Sequence, residues 1–260
     1  MGKIVAIANQ KGGVGKTTTA VNLGASLASA SKRTLVVDMD PQGNSTTGFG
    51  VDPRSLNKSI YDVMLENCFV TEALCATEMP SLSLLPANRD LVSAEIQMID
   101  MENRIGRLRQ SLETVRYRFD YILLDCPPSL GLLTLNALAA ADSLLVPLQC
   151  EYYALEGLTA VLDTMKRVQA SYNQHLRLEG VLLCMYDGRS NLSAQVAQDV
   201  RDHFPEDVFD TVIPRNVRLS ESPSHGRPAL LYDERSTGAQ SYLSLAAELM
   251  GGKERSHAEE

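Results

Sequence analysis

A glycine-rich loop near the start of the chain constrains the fold more than any other feature. The apolar run Ile4–Ala8 leads into Asn9–Thr18, which reads NQKGGVGKTT, and a helical pattern follows. In a strand–loop–helix unit of this kind, glycines let backbone N–H groups face an anion, and the helix N-terminus adds the positive end of its dipole. This order of elements therefore predicts a phosphate-binding loop within an α/β fold.

The side chains of the loop predict a nucleotide with its metal ion. Lys16 is expected to reach the β- and γ-phosphates, and the Thr17 hydroxyl is expected to bind Mg²⁺. The usual pattern, GxxxxGK[ST], has glycine where this chain has Gln10, and a second lysine, Lys11, opens the loop instead. We expect the phosphates to lie against Gly12, Gly13, Val14, Gly15, Lys16, Thr17 and Thr18.

Three aspartates lie just beyond predicted strands. Asp38 and Asp40 follow one strand, and Asp125 follows another. Ligands of open α/β sheets bind beyond the carboxyl ends of the strands, so we expect these carboxylates beside the loop. Asp125 is expected to hold Mg²⁺ through water, Asp38 to share that task, and Asp40 to orient or activate the attacking water. A turn or helix-capping role is the alternative for each.

Short apolar runs alternate with helical patterns along the chain. The runs lack polar alternation, which is typical of parallel strands covered on both faces; they are Ile4–Ala8, Thr34–Val37, Leu82–Leu85, Tyr121–Leu124, Leu144–Pro147 and Gly180–Cys184. Helical patterns lie near residues 17–30, 90–116, 131–141, 154–171, 191–203 and 237–250. This alternation predicts an α/β fold with a mostly parallel, twisted sheet and helices on both faces. We expect one domain over residues 1–250 and a short, flexible charged tail over 251–260.

Composition and charge argue against several classes of protein. The longest uncharged stretch is the 16 residues from Cys126 to Ala141, which is shorter than the roughly 20 that a membrane span needs. The five cysteines are odd in number and form no CxxC pair, which favours reduced, mostly packed thiols. The four histidines show no metal-ligand spacing. The net charge of −8 argues against a nucleic-acid partner, although it does not say where the charges lie.

Five longer segments carry a resemblance to a known family. They read KGGVGKTT, DMDPQGNSTTG, DCPPSLGLLTLNAL, CEYYALEGL and VIPRNVRLSESPSHG. Together they resemble the ParA/Soj chromosome-partitioning ATPases of the deviant Walker A class, and the resemblance extends from Lys3 to about Leu249. It implies a P-loop NTPase fold, ATP and Mg²⁺ as cofactors, and hydrolysis of ATP to ADP and phosphate.

The resemblance also implies a cycle controlled by ATP. Two chains would sandwich two ATP molecules, with Lys11 of one chain reaching the phosphates bound by the other and Asp40 as the hydrolytic aspartate. This homodimer would bind double-stranded DNA without sequence preference. A ParB-type partner would stimulate hydrolysis and release the DNA, driving chromosome segregation in the bacterial cytoplasm, where the protein would associate with the nucleoid. Met185, Pro214 and Asn216 are the implied adenine contacts.

The resemblance places the DNA contacts on basic residues of the C-terminal half, which are Arg189, Arg215, Arg218 and Arg227. Residues 213–228 hold three arginines and one acid, which predicts a positive loop; solvated arginines are the alternative. Contacts with DNA phosphates do not depend on the DNA sequence. In a dimer, once one chain has bound, the contacts of the second chain form as an effectively intramolecular step. A further basic stretch at 104–118, with five arginines and one glutamate, is predicted to form an exposed helix face.

Three other functions remain open. A MinD-like membrane ATPase needs a basic amphipathic C-terminal helix, and the sequence of residues 251–260 has no apolar face, so no membrane partner is expected. An iron–sulfur carrier needs paired cysteines, and Cys126 has no matching second motif. A nucleoid-bound ATPase that positions cargo other than DNA would use the same ATP and DNA sites, so the sequence does not separate it from a partitioning ATPase.

Overall fold

The computed structural model describes residues 1–251, and within that range it forms a seven-stranded sheet. The strands are β1 Lys3–Ile7, β2 Thr34–Asp38, β3 Cys75–Ala76, β4 Leu82–Leu85, β5 Tyr121–Asp125, β6 Ser143–Gln149 and β7 Arg177–Cys184. Their order across the sheet is β3-β4-β2-β5-β1-β6-β7, and β3 is antiparallel to β4 whereas the other pairs are parallel. The prediction of a mostly parallel α/β sheet is confirmed.

Helices of different lengths connect the strands. They are α1 Lys16–Ser29, α2 Asn44–Gly48, α3 Ile60–Met64, α4 Val70–Ala73, α5 Leu91–Gln97, α6 Arg107–Glu113, α7 Leu132–Ala140, α8 Ala154–Ser171, α9 Asn191–His203, α10 Val217–Glu221, α11 Ala229–Tyr232 and α12 Thr237–Gly251. Short 3₁₀ turns occur at Pro53–Ser55, Arg116–Arg118 and Ser222–His225. Within residues 1–251, no helix is both long enough and apolar enough to cross a bilayer. Apart from Gly251, the tail predicted over 251–260 lies outside the described residues.

The sheet separates two apolar layers, as β1 shows. Ile4 and Ala6 belong to a cluster that includes side chains of α5, α6, α7 and α8. Val5 and Ile7 belong to a second cluster, which includes side chains of α1 and α12. A strand covered on both faces has no polar side, which explains why the strand sequences show no alternation. The prediction of helices on both faces is therefore confirmed.

The long helical pattern predicted over residues 90–116 is wrong, because the structure has two short helices there, α5 and α6, separated by turns. Asn103 in the turns has a φ of 54°, a left-handed conformation that a helix interior does not contain. The side chain of Asn136 meets this break: its Nδ2 donates to Arg104 O and its Oδ1 accepts from Leu108 N. A buried side chain distant in sequence thus satisfies backbone groups that a continuous helix would pair internally.

The exposed basic face predicted at 104–118 is also wrong in part. The side chains of Arg107 and Arg116 are only 11% and 17% exposed. Arg107 Nε donates to Met64 O, and Arg116 Nε donates to Gly2 O, both at 2.7 Å. These two arginines therefore join distant parts of the chain instead of forming a free basic surface.

Helix α1 packs so closely on the sheet that Gly24 leaves no room for a side chain. A Cβ at Gly24 would lie 2.7 Å from Val36 Cγ2, whereas a Cβ at Gly157 in α8 would meet nothing within 4 Å. Alanine gains roughly 0.5–1 kcal/mol over glycine in either helix. We expect Gly157→Ala to stabilise the protein, and Gly24→Ala to destabilise it by about 1–3 kcal/mol through overpacking. Urea unfolding measures both, and equal effects at the two sites would contradict the close packing.

Candidate nucleotide-binding site

The loop between β1 and α1 lies at the carboxyl end of the sheet. Gly13 and Gly15 have φ values of 74° and 101°, which residues with a side chain rarely adopt. Asn9 holds the start of the loop, because its Nδ2 donates to Pro147 O at 2.8 Å and its Oδ1 accepts from Lys11 N at 3.0 Å. The first turn of α1 contains no acidic residue, so no carboxylate of that turn neutralises the helix N-terminus. The loop is therefore formed in a shape that suits an anion.

The two lysines of the loop have different surroundings. Lys16 is 7% exposed, and its Nζ donates to Lys11 O at 3.0 Å. Burial lowers the pKa of Lys16, and the nearby carboxylates of Asp125 and Asp40 oppose that effect. Lys11 is exposed, and its ammonium group forms an ion pair with Glu151. Lys16 therefore points along the loop, where a phosphate would compete with a single carbonyl, while Lys11 lies at the surface.

Asp38 and Asp125 form a buried pair at the ends of neighbouring strands. They are register partners of β2 and β5, and each is 0% exposed. Ser45 Oγ donates to Asp125 Oδ2 at 2.7 Å. Thr46 donates to Asp38 Oδ2 through its backbone N at 2.8 Å and through its hydroxyl at 2.7 Å. Two consecutive residues of α2 thus hold the two carboxylates, which we call the carboxylate pair.

The carboxylate pair fits a divalent cation. Asp125 Oδ1 is buried and has no hydrogen-bond partner within residues 1–251. Burial raises the pKa of Asp125 to about 8, with a further contribution from the charge of Asp38, and burial raises the pKa of Asp38 to about 6. A buried carboxylate oxygen without a donor lowers stability unless a cation or a proton meets it. Hard oxygen ligands of this kind are those that Mg²⁺ prefers.

The protein alone does not enclose such a cation. Among residues 1–251, no three His, Cys, Asp or Glu side chains are grouped so that they could hold a metal ion. Mg²⁺ usually keeps several waters and is bound through one or two carboxylates together with the phosphates of a substrate. The Thr17 hydroxyl, which lies close enough to Asp125 to lower its pKa, would add a further oxygen. The residues present therefore fit Mg²⁺ bound together with a nucleotide.

Asp40 lies next to the carboxylate pair and is buried. Its backbone N donates to Asp38 Oδ1 at 3.1 Å, and its own Oδ1 accepts from Gln42 N at 2.9 Å. These contacts fix the Asp40 carboxylate beside the pair without making it a member of the strand-end register. Its predicted action on the attacking water stays a prediction.

A cavity of about 560 Å³ opens beside the loop. Gly15 of the loop and Thr18 in the first turn of α1 line it, and so do the three residues predicted to contact adenine: Met185, Pro214 and Asn216. The structure thus brings together segments that are about 170 to 200 residues apart in sequence. The side chain of Asn216 is partly engaged, since its Oδ1 accepts from the backbone N of Arg218 and Leu219 and its Nδ2 donates to Thr237 Oγ1. The second N–H of its amide donates to no group within residues 1–251.

The four arginines predicted to contact DNA differ in their ion pairs. Three of them pair with carboxylates: Arg189 with Asp187, Arg218 with Glu221 and Asp233, and Arg227 with Glu78. Arg215 is exposed and forms no ion pair within residues 1–251. Counting charges over residues 213–228 therefore overstates the positive charge of this surface, because Asp233 and Glu78, which pair with Arg218 and Arg227, lie outside that segment.

Several residues of the site were not predicted individually. Ser45 and Thr46 lie in the segment DMDPQGNSTTG, where adjacent hydroxyls five to eight residues after two aspartates were the available signal. Asn9 and Glu151 gave no such signal, because their roles depend on contacts with residues that the fold brings near. The prediction of packed thiols is confirmed for Cys126, Cys150 and Cys184, which are buried, whereas Cys68 and Cys75 are only half-buried. Burial raises the pKa of Cys184 to about 12.

Comparison with known proteins adds independent findings. The family model described as an AAA domain matches residues 2–178. The sporulation initiation inhibitor protein Soj of Bacillus subtilis (strain 168) is 54% identical over 249 residues, which cover 96% of this chain and 98% of that protein. The chromosome partitioning protein ParA of Myxococcus xanthus (strain DK1622) is 54% identical over 250 residues, which cover 96% and 88% respectively.

Solved structures resemble the chain over nearly its whole length. Cobyrinic acid a,c-diamide synthase from Mycobacterium smegmatis, solved with a bound ATP analog and magnesium, has a TM-score of 0.85 and 39% identity, covering 96% of this chain and 95% of that one. The septum site-determining protein MinD from Pyrococcus horikoshii OT3, complexed with Mg-ADP, has a TM-score of 0.80 and 28% identity, with coverages of 97% and 98%. Both similarities support the fold.

The carboxylate pair predicts how stability changes with pH in the absence of Mg²⁺ and nucleotide. The folded chain keeps protons on Asp125 and Asp38 up to about pH 8 and about pH 6, whereas the unfolded chain releases them near 3.9. The folded state thus binds more protons in this window, so the free energy of unfolding falls as pH rises from about 4 to about 8. Each group contributes at most about 1.4 kcal/mol per pH unit.

Removing one charge tests this prediction. We expect Asp125→Asn to unfold at higher urea concentration than the parent at pH 7.5 and to show a flatter dependence on pH between 5 and 8. Asp163→Asn, at an exposed position of α8, is the control and should follow the parent. If the free energy of unfolding of the parent and of Asp125→Asn changes equally with pH, the carboxylate pair is not the cause of the pH dependence.

Proposed function

Because the chain belongs to the ParA/Soj family of chromosome-partitioning ATPases, we propose that it hydrolyses ATP in a cycle that controls its own dimerisation and DNA binding. The observation that carries the proposal is that the phosphate-loop segment also lines the cavity of the predicted adenine contacts. Gly15 of the phosphate loop and Thr18 in the first turn of α1 both line the cavity that holds the predicted adenine contacts. Asp125 of the carboxylate pair lies near Lys16 and Thr17 of the same segment, where a triphosphate and its Mg²⁺ would lie.

ATP would lie with its adenine in the 560 Å³ cavity and its phosphates along the loop. Lys16 would exchange Lys11 O for a phosphate oxygen, and the backbone N–H groups of the loop would donate to the remaining oxygens. Asp38, Asp125 and Thr17 would hold Mg²⁺. When bound, Mg²⁺ neutralises the charge on the β- and γ-phosphate oxygens.

Asp40 is the residue we assign to the attacking water. Its carboxylate is fixed by Gln42 N and lies beside the carboxylate pair, so it would orient the water and accept its proton. Lys16 and the loop N–H groups would stabilise the charge that develops on the transferred phosphoryl group, which is where most catalysis of phosphoryl transfer arises.

Lys11 would act on the nucleotide bound by a second chain. Its side chain is at the surface, and its partner Glu151 is 44% exposed, so their ion pair contributes about 0–1 kcal/mol and is easily exchanged. A dimer built in this way requires nucleotide between the chains, which makes dimerisation depend on ATP.

DNA binding would follow from the dimer. Arg215 is available for phosphate contacts, and Arg189, Arg218 and Arg227 would exchange exposed carboxylates for DNA phosphates. Each exchange gives little free energy, so one chain alone binds weakly, whereas the dimer presents both sets on one rigid body. A ParB-type partner would stimulate hydrolysis and so release the DNA. The protein would act in the bacterial cytoplasm, associated with the nucleoid, during chromosome segregation.

Two substitutions separate nucleotide binding from hydrolysis. We expect Lys16→Ala to abolish ATP-dependent DNA binding, because the γ-phosphate loses its buried cation. Asp40→Ala is expected to bind ATP, to lose turnover and to stay as a DNA-bound dimer. Phosphate release and DNA retardation with ATP measure both, and normal ATP hydrolysis by Asp40→Ala would refute its assignment to the water.

The DNA surface predicts a steep dependence on salt. About three phosphate contacts per chain, doubled in the dimer, imply a loss of affinity on the order of 10³-fold between 50 and 200 mM salt. We expect Arg215→Ala to lower the slope of log affinity against log salt by about two, since one contact is lost from each chain. Arg33→Ala, at the amino end of β2 and paired with Asp120, is the matched control. An affinity that barely changes with salt would contradict the phosphate contacts.

A further inference from the structure

Helix α5 and the turn after it expose three aliphatic side chains. Val92, Ile96 and Ile99 are 52%, 69% and 52% exposed, and they recur at the i, i+4 and i+7 spacing of one helix face. The helical path continues past α5, since Ile99 N donates to Ile96 O at 3.3 Å. The other side of the same segment is fully buried in the core, through Leu91, Ala94 and Met98. We call Val92, Ile96 and Ile99 the 92–99 face; neighbouring exposed aliphatic side chains of this kind are typical of an interaction site.

Carboxylates flank the 92–99 face. Between residues 89 and 104 the chain has four acids and two arginines, namely Asp90, Glu95, Asp100 and Glu102 with Arg89 and Arg104. Asp100 and Glu102 are exposed, while the guanidinium of Arg104 donates to Ile99 O. Pairing this face with a second copy of itself would bring like charges together, and an anionic membrane would be repelled in the same way. The charge pattern instead complements a cationic surface with an apolar centre.

The face is connected to the segment that follows Asp125. Glu95 Oε1 accepts from Leu133 N at 3.4 Å, at the start of α7. The same oxygen lies so near Gly131 that a Cβ there would be 2.5 Å away. Residues 126–131 run from the carboxylate pair to α7, so a ligand on the 92–99 face lies one side chain away from the loop that leaves the site.

We propose that the 92–99 face docks a cationic amphipathic helix of the partner protein that stimulates hydrolysis. Aliphatic residues of that helix would cover Val92, Ile96 and Ile99, and its lysines or arginines would meet Asp100 and Glu102. The identity of the partner rests on the proposed function. The docking itself requires neither ATP nor DNA.

A designed peptide tests the docking directly. The probe is an 18-residue Leu/Lys peptide with leucines on one helix face, compared with its scrambled isomer and with a Leu/Glu counterpart, using fluorescence anisotropy and the full chain. We expect the Leu/Lys peptide to bind best, and the double variant Val92→Ser, Ile96→Ser to bind it at least tenfold more weakly. Tyr117→Ser is the matched control, because Tyr117 is 69% exposed but lines a pocket with Gly2 and Lys32 at the other end of the sheet.

The exposed acids Asp100 and Glu102 beside the 92–99 face have a separate test. Asp100→Asn combined with Glu102→Gln should weaken the Leu/Lys peptide several-fold at 50 mM salt and less at 300 mM, because salt screens exposed charges. Equal binding of the peptide by the parent and the serine double variant, or equal binding of the Leu/Lys and Leu/Glu peptides, would overturn the proposal.

Stimulated ATP hydrolysis tests whether the partner protein uses the 92–99 face. With the full-length ParB-type protein of the same genome, the serine double variant should keep its basal ATP hydrolysis and lose at least fivefold of the stimulation. Normal stimulation of this variant would overturn the proposal even if the peptide binds as expected. If the parent protein shows no ATP-dependent DNA binding, the proposed function is overturned instead. The peptide measurement uses neither ATP nor DNA, so its result does not depend on that outcome.

Discussion

The burial of two carboxylates at neighbouring strand ends is the constraint on which the site depends. The parallel register of β2 and β5 brings Asp38 and Asp125 side by side in a place without solvent. Two like charges in such a place are unfavourable, so the chain stabilises them with the hydroxyls of Ser45 and Thr46 and keeps Lys16 nearby. One oxygen of Asp125 still has no hydrogen bond. A cation bound with a nucleotide resolves what the protein alone leaves unsatisfied.

The groups predicted to contact ligands are satisfied internally in the isolated chain by contacts that are easy to exchange. Lys16 donates to a single carbonyl, Lys11 pairs with an exposed glutamate, and three of the four candidate DNA arginines pair with carboxylates. Exposed pairs of this kind are weak, so phosphate groups compete with them effectively. In the proposed cycle, the net charge of −8 is consistent with this arrangement. The acids near the arginines would keep a single chain from binding DNA strongly, and a dimer would exchange both sets of contacts together.

Much of the fold could be predicted because its signals are local. Apolar runs placed the described strands except β3, which has two residues and is antiparallel to β4. The helical patterns at 154–171 and 191–203 coincide with α8 and α9. The pattern over 90–116 failed because the break between α5 and α6 is stabilised by Asn136, a residue of another helix. Contacts between residues distant in sequence also limited the prediction of the site. The loop and the aspartates carry their chemistry in the sequence, but Arg227 meets a carboxylate 149 positions away, and no local pattern contains that contact.

The central claim is that the carboxylate pair is the cation site of a bound nucleotide. The most direct test is the electron paramagnetic resonance of Mn²⁺, titrated into the protein with a saturating non-hydrolysable ATP analog. We expect one Mn²⁺ per chain that Mg²⁺ displaces, and we expect Asp125→Asn to weaken Mn²⁺ binding at least tenfold while still binding the analog. Binding of Mn²⁺ by Asp125→Asn with the affinity of the parent would contradict the claim.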